Sequence, residues 1–233
     1  MTAARRRRLP AGARERAATT VERLAGEYPV ARTALDHGNP LQLLVAVILS
    51  AQSTDERVNQ VTPALFARYE TAEALATAPQ DEVEAMIRPT GFFRSKARAI
   101  REMAQDLVRL HGGEVPPRME DLVQLRGVGR KTANVVLGVA FGVPGFAVDT
   151  HVTRLTRRLR LTTATDPVKI EQDVCSIVPA SEWTNLSLRL ILHGRRICVA
   201  RKPRCPACVL SDFCPSAYLG LKPVRPAARV RAR

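Results

Sequence analysis

The sequence predicts an all-α protein, because helical patterns account for nearly every segment between its two ends. In the stretch from Ser95 to Gly113, apolar residues recur at i, i+3, i+4 and i+7, and two glycines end the repeat. Residues 43–49 are apolar on all sides, as in a central buried helix. The extended-looking piece at 145–148 is too short for a sheet. These observations predict a bundle of moderate helices joined by tight turns.

The remaining helices follow in chain order, each bounded by a short joint that carries Pro or Gly. No internal repeat or low-complexity linker interrupts the series, so a division into domains has to come from packing. The predicted segments are 15–28, 55–69, 71–78, 79–88, a helix that begins near Arg130, a helix after Asp149, 169–178 and 185–198.

The charge balance is strongly basic, with 36 Lys and Arg against 22 Asp and Glu and a formal net charge of +14. Such a balance indicates a polyanionic partner, either nucleic acid or an anionic membrane surface. Part of the charge is crowded into the two ends, at 1–14 and 220–233. Both ends lack apolar periodicity and contain Pro, so we expect two disordered basic tails.

The basic start of the chain lacks the apolar segment that would follow it in a signal peptide. The longest apolar run, 43–49, is far shorter than the ~20 residues of a membrane span. We therefore expect a soluble, cytoplasmic protein without a membrane partner. The Arg-rich start also leaves an organellar transit peptide open.

Four of the five cysteines form a Cys-x6-Cys-x2-Cys-x5-Cys array near the end of the folded part, and they are Cys198, Cys205, Cys208 and Cys214. An intracellular context argues against disulfides. Structural zinc sites usually join two close Cys pairs, and here only one such pair is present. Thiolates spread along one loop favour a [4Fe-4S] cluster over zinc. Arg201, Lys202 and Arg204 lie within this loop, where they can contact phosphate.

The segment Gly127-Val128-Gly129 precedes the helix that begins near Arg130. Glycines permit close approach, and backbone N–H groups at a helix N-terminus bind a phosphate oxygen without reading sequence. The next residue, Lys131, is either a plain phosphate ligand or a nucleophile. A nucleophilic lysine has to be neutral at working pH, and the helix N-terminus alone, worth roughly 0.3 to 1 kcal/mol, is too weak to neutralise it. Desolvation under bound DNA and the neighbouring charges of Arg126 and Arg130 would have to supply the rest.

Asp149 ends an apolar run and stands directly before a new helix. Its simplest role is that of an N-cap, worth ~1 kcal/mol. A carboxylate there could also face an electron-poor sugar carbon or hold a proton. His151 adds a switchable charge beside it.

Four signatures in this order resemble the endonuclease III family of DNA base-excision glycosylases, within the helix-hairpin-helix superfamily. They are ILSAQSTD at 48–55, LRGVGRKTANVVL at 125–137, AVDTHVTR at 147–154, and the cysteine array that follows LILHGRRIC. The resemblance runs from about residue 20 to residue 219. It implies two helical lobes with a DNA-binding cleft between them. One is a six-helix lobe at 33–143 with the helix-hairpin-helix, and the other is an iron–sulfur lobe at 15–32 plus 144–219.

By this resemblance Lys131 is the Schiff-base nucleophile and Asp149 the essential carboxylate, and the four cysteines of the array bind a [4Fe-4S] cluster. The partner is double-stranded DNA with a damaged base or an abasic site, bound by a monomer. The implied reaction removes an oxidised pyrimidine and then nicks the strand by β-elimination. Gln52 would fill the space of the flipped nucleotide, and Phe92 would be a wedge in the duplex.

At two positions the sequence departs from the usual pattern of the family. Arg126 stands where the family usually has proline, which we expect to loosen the hairpin and add charge. Phe92 stands where the wedge is often aliphatic, which bears on lesion preference.

One alternative is a glycosylase of the same superfamily for pyrimidine dimers or mismatched bases. The other is a non-catalytic DNA-binding module, in which Lys131 contacts phosphate and Asp149 only caps a helix.

Overall fold

The computed structural model describes residues 8–219, and within them it contains eleven α-helices and no β-strand. The all-α prediction is confirmed. Short 3₁₀ turns lie at 88–90, 180–182 and 205–207. The helices are α1 (Ala13–Glu27), α2 (Pro40–Leu49), α3 (Asp55–Arg68), α4 (Ala72–Thr77), α5 (Gln80–Ile87), α6 (Phe93–His111), α7 (Met119–Leu122), α8 (Arg130–Ala140), α9 (Thr150–Arg158), α10 (Pro167–Cys175) and α11 (Trp183–Arg196).

Local capping explains where many of these helices begin. Asn39, Thr54, Thr71 and Asp166 each precede a helix, and each side chain accepts a hydrogen bond from the backbone N–H three residues later. An N-cap of this kind satisfies one of the unpaired N–H groups of the first turn. The starts of α2, α3, α4 and α10 are therefore fixed by single side chains in the sequence.

A first hydrophobic core is built around α2. Residues 43–49 of this helix are all buried, and their neighbours come from α3, α6 and α8. The buried members of this core run from Leu35 to Leu137. The segment 33–143 contains α2 to α8, of which α7 has only four residues.

A second hydrophobic core joins the two ends of the described chain. Most of its buried residues come from α1, α9, α10, α11 and the segments that flank them, including Phe146 and Val148, and the cysteine loop contributes Leu210. The predicted tail at 1–14 is too long, because α1 begins at Ala13, whose side chain is buried in this core. The predicted tail at 220–233 lies outside the described residues, as do residues 1–7.

The chain passes from the first core to the second through the non-helical segment 145–148. Asn134 Nδ2 on α8 donates to the carbonyl oxygen of Phe146 at 3.3 Å, and Ser187 Oγ on α11 donates to that of Ala147 at 2.7 Å. A Cβ at Gly145 would lie 2.6 Å from the backbone oxygen of Asn134, so only glycine fits at this crossing. The segment is thus held from both cores, and it delivers Asp149 to the start of α9.

The hairpin between α7 and α8 is anchored to α6 by Arg126. Its backbone N–H donates to Asp106 Oδ2 at 3.0 Å, and its Nε donates to the same oxygen at 2.8 Å. The expectation that Arg126 loosens this turn is wrong, because a proline would lack the N–H that binds Asp106. The neighbouring Gly127 has φ 78°, and a Cβ there would lie 3.1 Å from the Cβ of Ala99 on α6.

The Asp106 site yields a stability prediction. The Arg126 guanidinium lowers the pKa of the buried Asp106 carboxyl to about 2. The ionised carboxylate therefore contributes fully to the free energy of unfolding above pH ~3.9, and this contribution is lost as the pH falls toward 2. Asp106→Asn should therefore lower the free energy of unfolding by about 2 kcal/mol at pH 7. Urea denaturation measures this change. Glu120→Gln, in an exposed pair with Arg118, is the control and should change it by less than ~0.5 kcal/mol. An equal effect of both variants would contradict the assignment.

Candidate active site

A cavity of about 460 Å³ opens between the two cores and contains both residues predicted to be catalytic. Its wall is formed by the chain before α2, the turn from α2 to α3, the N-terminal parts of α8 and α9, and the C-terminal part of α11. The polar and charged residues that line it are Arg32, Thr33, Ser50, Gln52, Ser53, Asp55, Lys131, Thr132, Asp149, Thr150 and Arg195.

Lys131 is the second residue of α8, and its side chain reaches the cavity while the residue stays exposed at its mouth. Desolvation in the cleft lowers the pKa of Lys131, and the charge of Arg195 also lowers it. The carboxylates of Asp149 and Asp55 act in the opposite direction. The net direction is downward, so the amine is both accessible and more readily deprotonated than a free surface lysine.

Asp149 is the N-cap of α9, as its position before the helix predicts. Its Oδ1 accepts a hydrogen bond from the backbone N–H of Val152 at 2.8 Å. The side chain is half-buried and lines the same cavity as Lys131. Capping therefore fixes the rotamer of a carboxylate at the wall of the cleft.

The glycines of the hairpin differ in what they do. Gly127 has the left-handed backbone described above, whereas Gly129 is extended and forms the N-cap of α8. A Cβ at Gly129 would meet no atom within 4 Å. The Arg130 guanidinium forms two hydrogen bonds of 2.8 Å with Glu171 on α10, so this side chain is engaged within the protein.

Gln52 and Phe92 both project from strained turns. Gln52, between α2 and α3, has φ 53° and lines the cavity. Phe92 precedes α6, has φ 48° and is 67% exposed. Non-glycine residues in this backbone region cost energy, and such strain is concentrated at functional sites. Below Phe92, the buried Lys96 ammonium donates to the carbonyl oxygen of Thr90 at 2.8 Å and so closes the turn.

The predicted cationic residues lie at the edge of the second core. His151 follows the start of α9 and its Nδ1 is 3.1 Å from Arg154 Nη2. Arg201, Lys202 and Arg204 are exposed on the loop between the first two cysteines of the array, and Lys202 has φ 55°.

The four cysteines of the array carry free thiols within one loop beside α9 and α11. Burial raises the pKa of Cys208 to about 11, and the charges of the other three cysteines act in the same direction, which indicates that they lie near it. Among residues 8–219, no three His, Cys, Asp or Glu side chains converge as ligands of one metal ion. A cubane cluster binds each thiolate to a different iron, so its ligands stand further apart around the group. The all-sulfur donor set fits such a cluster.

Two arginines of α9 and one histidine of α11 support this loop. Arg158 Nη1 lies 3.2 Å from Cys198 Sγ and 3.0 Å from the carbonyl oxygen of Val199. Arg154 Nε donates to the carbonyl oxygen of Cys198 at 3.0 Å. His193 Nε2 lies 3.2 Å from Cys208 Sγ. The loop is thus tied to the helix that Asp149 caps.

A larger concavity of about 960 Å³ adjoins the first one at Asp149 and Thr150. Its walls include four arginines of α9 and the turn that follows, Arg154, Arg157, Arg158 and Arg160. Lys131 does not line it. Size therefore favours this concavity, but the smaller one holds the amine and the carboxylate together, and we take it as the candidate active site.

Sequence reasoning missed one pair of residues in the cavity. Arg195 Nη1 on α11 lies 2.6 Å from Asp55 Oδ2 at the start of α3. A signal for Arg195 was present, because Leu188, Ile191, Leu192 and Arg195 follow the i, i+3, i+4, i+7 pattern and all line the cavity. Asp55 gave no such signal, since its partner is 140 residues away.

The sequence is similar to that of known DNA repair proteins along most of its length. Residues 45–180 match the family described as HhH-GPD superfamily base excision DNA repair protein, and residues 198–214 match the iron-sulfur binding domain of endonuclease III. Endonuclease III of Synechocystis sp. is 53% identical over 211 residues, which cover 90% of this chain and 96% of the relative. The chain is a member of the endonuclease III family.

Two solved structures of the family are similar over nearly the whole fold. A non-covalent endonuclease III–DNA complex has a TM-score of 0.83 at 41% identity, and a trapped endonuclease III–DNA covalent intermediate has 0.84 at 42%. In both comparisons the matched region covers 88% of this chain and 96% of the chain in the solved structure. The chain is thus a bifunctional DNA glycosylase and abasic-site lyase of base excision repair that binds DNA and a [4Fe-4S] cluster. Among the described residues, none of the helices has the length and apolar character to cross a membrane.

Support of the cysteine loop by Arg158 yields a second prediction. Arg158→Met removes the donor to Cys198 Sγ and to two loop carbonyls, at Val199 and Ala200. The cluster should then be lost roughly ten-fold faster, in line with other losses of a hydrogen bond to a metal ligand. Decay of the visible absorption under a chelator measures the rate. The exposed neighbour Arg157, changed to Met, is the matched control, and equal decay of both variants would remove the assigned role from Arg158.

Proposed function

We propose that this endonuclease III family member removes oxidised pyrimidines from duplex DNA with Lys131 as the nucleophile and Asp149 as the essential carboxylate. The observation that carries the proposal is the presence of this amine and this carboxylate in one cavity between the two cores. We further propose that the cores correspond to two lobes, 33–143 and 15–32 plus 144–219, with DNA in the cleft between them.

The amine of Lys131 attacks the sugar C1′ of the damaged nucleotide. A bond from Nζ to C1′ forms as the bond from C1′ to the base breaks, and the base leaves with the electron pair of that bond. Loss of protons from Nζ and opening of the sugar ring give an imine. Removal of a C2′ proton then expels the 3′ phosphate and nicks the strand. Attack requires a neutral amine, and the lowered pKa of Lys131 favours that form.

The Asp149 carboxylate stabilises the positive charge that develops on the sugar as the base departs. Its rotamer is held by the hydrogen bond from Val152 N–H, so the carboxylate need not reorganise during the reaction. The same group can take the proton that leaves the lysine nitrogen. Capping and catalysis are compatible because a carboxylate has two oxygens.

Backbone phosphates are bound at the hairpin and along the cysteine loop. Gly127, Gly129 and the N-terminus of α8 present N–H groups to a phosphate oxygen. Arg130 contributes its backbone N–H, because its guanidinium is bound to Glu171. A second contact involves the charged residues of the other lobe, which are His151, Arg201, Lys202 and Arg204. These groups bind without reading sequence.

The cluster is held by Cys198, Cys205, Cys208 and Cys214. When bound, it supplies a rigid anchor for the cationic loop rather than chemistry at the sugar. Gln52 fills the space of the flipped nucleotide from the cavity wall, and Phe92 enters the duplex as a wedge. The enzyme acts as a monomer in the bacterial cytoplasm, at the nucleoid.

Borohydride trapping tests the nucleophile. The parent protein should form a covalent adduct with a duplex that carries one thymine glycol, because reduction fixes the imine. Lys131→Gln should form none, since the amide is not nucleophilic. Lys169→Gln, which removes an exposed lysine of α10, should trap as the parent does. Gel mobility of the labelled strand measures the adduct.

A second duplex with a preformed abasic site separates the two steps. Trapping on the abasic duplex but not on thymine glycol would contradict the proposed lesion class and leave the lyase in place. Adduct formation by Lys131→Gln on either duplex would contradict the assignment of the nucleophile.

The wedge role of Phe92 yields a further prediction. Phe92→Ala should slow single-turnover release of the damaged base by roughly ten-fold, because an apolar wedge keeps the unstacked step open. Val123→Ala, at another exposed apolar residue, serves as the control. Rapid-quench assays on the thymine glycol duplex measure both. Equal rates for Phe92→Ala and the parent would show that the exposed ring does not act in base release.

A further inference from the structure

The ion pair between Asp55 and Arg195 joins the two cores at the wall of the active-site cavity. Asp55 is the first residue of α3, a helix of the first core, whereas Arg195 lies in the last turn of α11, a helix of the second core. Their charged atoms are 2.6 Å apart, and the Asp55 side chain is only 14% exposed. Both side chains line the cavity together with Lys131.

The charges of Asp55 and Arg195 also act on the Lys131 amine. The charged groups around Lys131 are Asp149 from the start of α9, Asp55 from α3, Arg195 from α11 and Arg32 from the chain before α2. Asp55 favours the ammonium form of Lys131, and Arg195 opposes it. On α8 itself, the neighbouring Arg130 is bound to Glu171.

A carboxylate beside a nucleophilic lysine is unfavourable unless its charge is balanced. Two unit charges of opposite sign at ion-pair distance present little net field to a third group several ångströms away. Asp55 alone would hold the amine protonated, and Arg195 alone would repel the ammonium. When the two are paired, their effects on Lys131 cancel. Desolvation and Asp149 then determine whether the amine is protonated.

We propose that Asp55 and Arg195 are positioning residues of the lyase, and that their ion pair holds α3 against α11 while it cancels the field of Asp55 at the Lys131 amine. The inference rests on the proposed role of Lys131 as the nucleophile. It assigns to the pair a function that a surface ion pair of the same length would lack, because an exposed pair contributes little to stability.

The pH profile of Schiff-base formation tests the inference. Single-turnover borohydride trapping on an abasic duplex, with enzyme at saturation, gives a rate that rises with pH as the Lys131 ammonium loses its proton. The midpoint of this rise should move upward by about one pH unit in Arg195→Gln, which exposes the charge of Asp55. It should move downward by a similar amount in Asp55→Asn. The double variant should return toward the parent midpoint.

Two further variants make the test specific. Arg195→Lys keeps the charge and should keep the midpoint, even where a looser contact lowers the maximal rate. Arg196→Gln removes the same charge from the adjacent residue of α11, which does not line the cavity, and should leave the midpoint in place. Both retain every group that the reaction uses.

Shifts of opposite sign in the two single variants, with a return in the double variant, support the inference, because a merely structural defect lowers the rates without such a pattern. Shifts in the same direction, or unchanged midpoints in folded variants, overturn it. If either isosteric variant does not fold, Arg195→Lys decides, and a shifted midpoint there overturns the inference. Absence of an adduct with the parent protein overturns the proposed function, and this inference with it.

Discussion

Lys131 and Asp149 belong to helices packed in different hydrophobic cores, yet both line the same cavity. Three contacts across the cleft maintain this relation. Arg130 on α8 binds Glu171 on α10, Asn134 on α8 binds the backbone of the crossing segment, and Asp55 on α3 binds Arg195 on α11. Because protein interiors are close-packed, these contacts between the cores hold Lys131 and Asp149 at one cavity.

The amine of Lys131 is governed by a balance between hydration and charge. The cleft removes water from the ammonium and so favours the neutral form, whereas two carboxylates, Asp149 and Asp55, favour the charged form. The residue is still exposed at the mouth of the cavity, which keeps it accessible to a sugar carbon. Bound DNA would strengthen the first effect, since the duplex covers the mouth and excludes further water.

Local features of the sequence predicted much of the fold and of the site. Apolar patterns within a few residues predicted α2 and α6, and the position of Asp149 predicted the start of α9. The spacing of the cysteines favoured a [4Fe-4S] cluster over zinc, and the family resemblance implied it. The ion pairs of Arg130 and Arg195 were not predictable, because their partners lie 41 and 140 residues away and no local pattern encodes such contacts. The anchoring of Arg126 by Asp106 was missed for the same reason.

Competitive acylation measures whether the cleft lowers the pKa of Lys131. Lysines are labelled at a series of pH values with a limiting amount of reagent, and mass spectrometry of the peptides gives the titration of each amine. Lys131 should titrate at a lower pH in the folded protein than in the same protein denatured, because the cleft lowers its pKa. Equal midpoints for Lys131 in the two states would show that the cleft has no such effect.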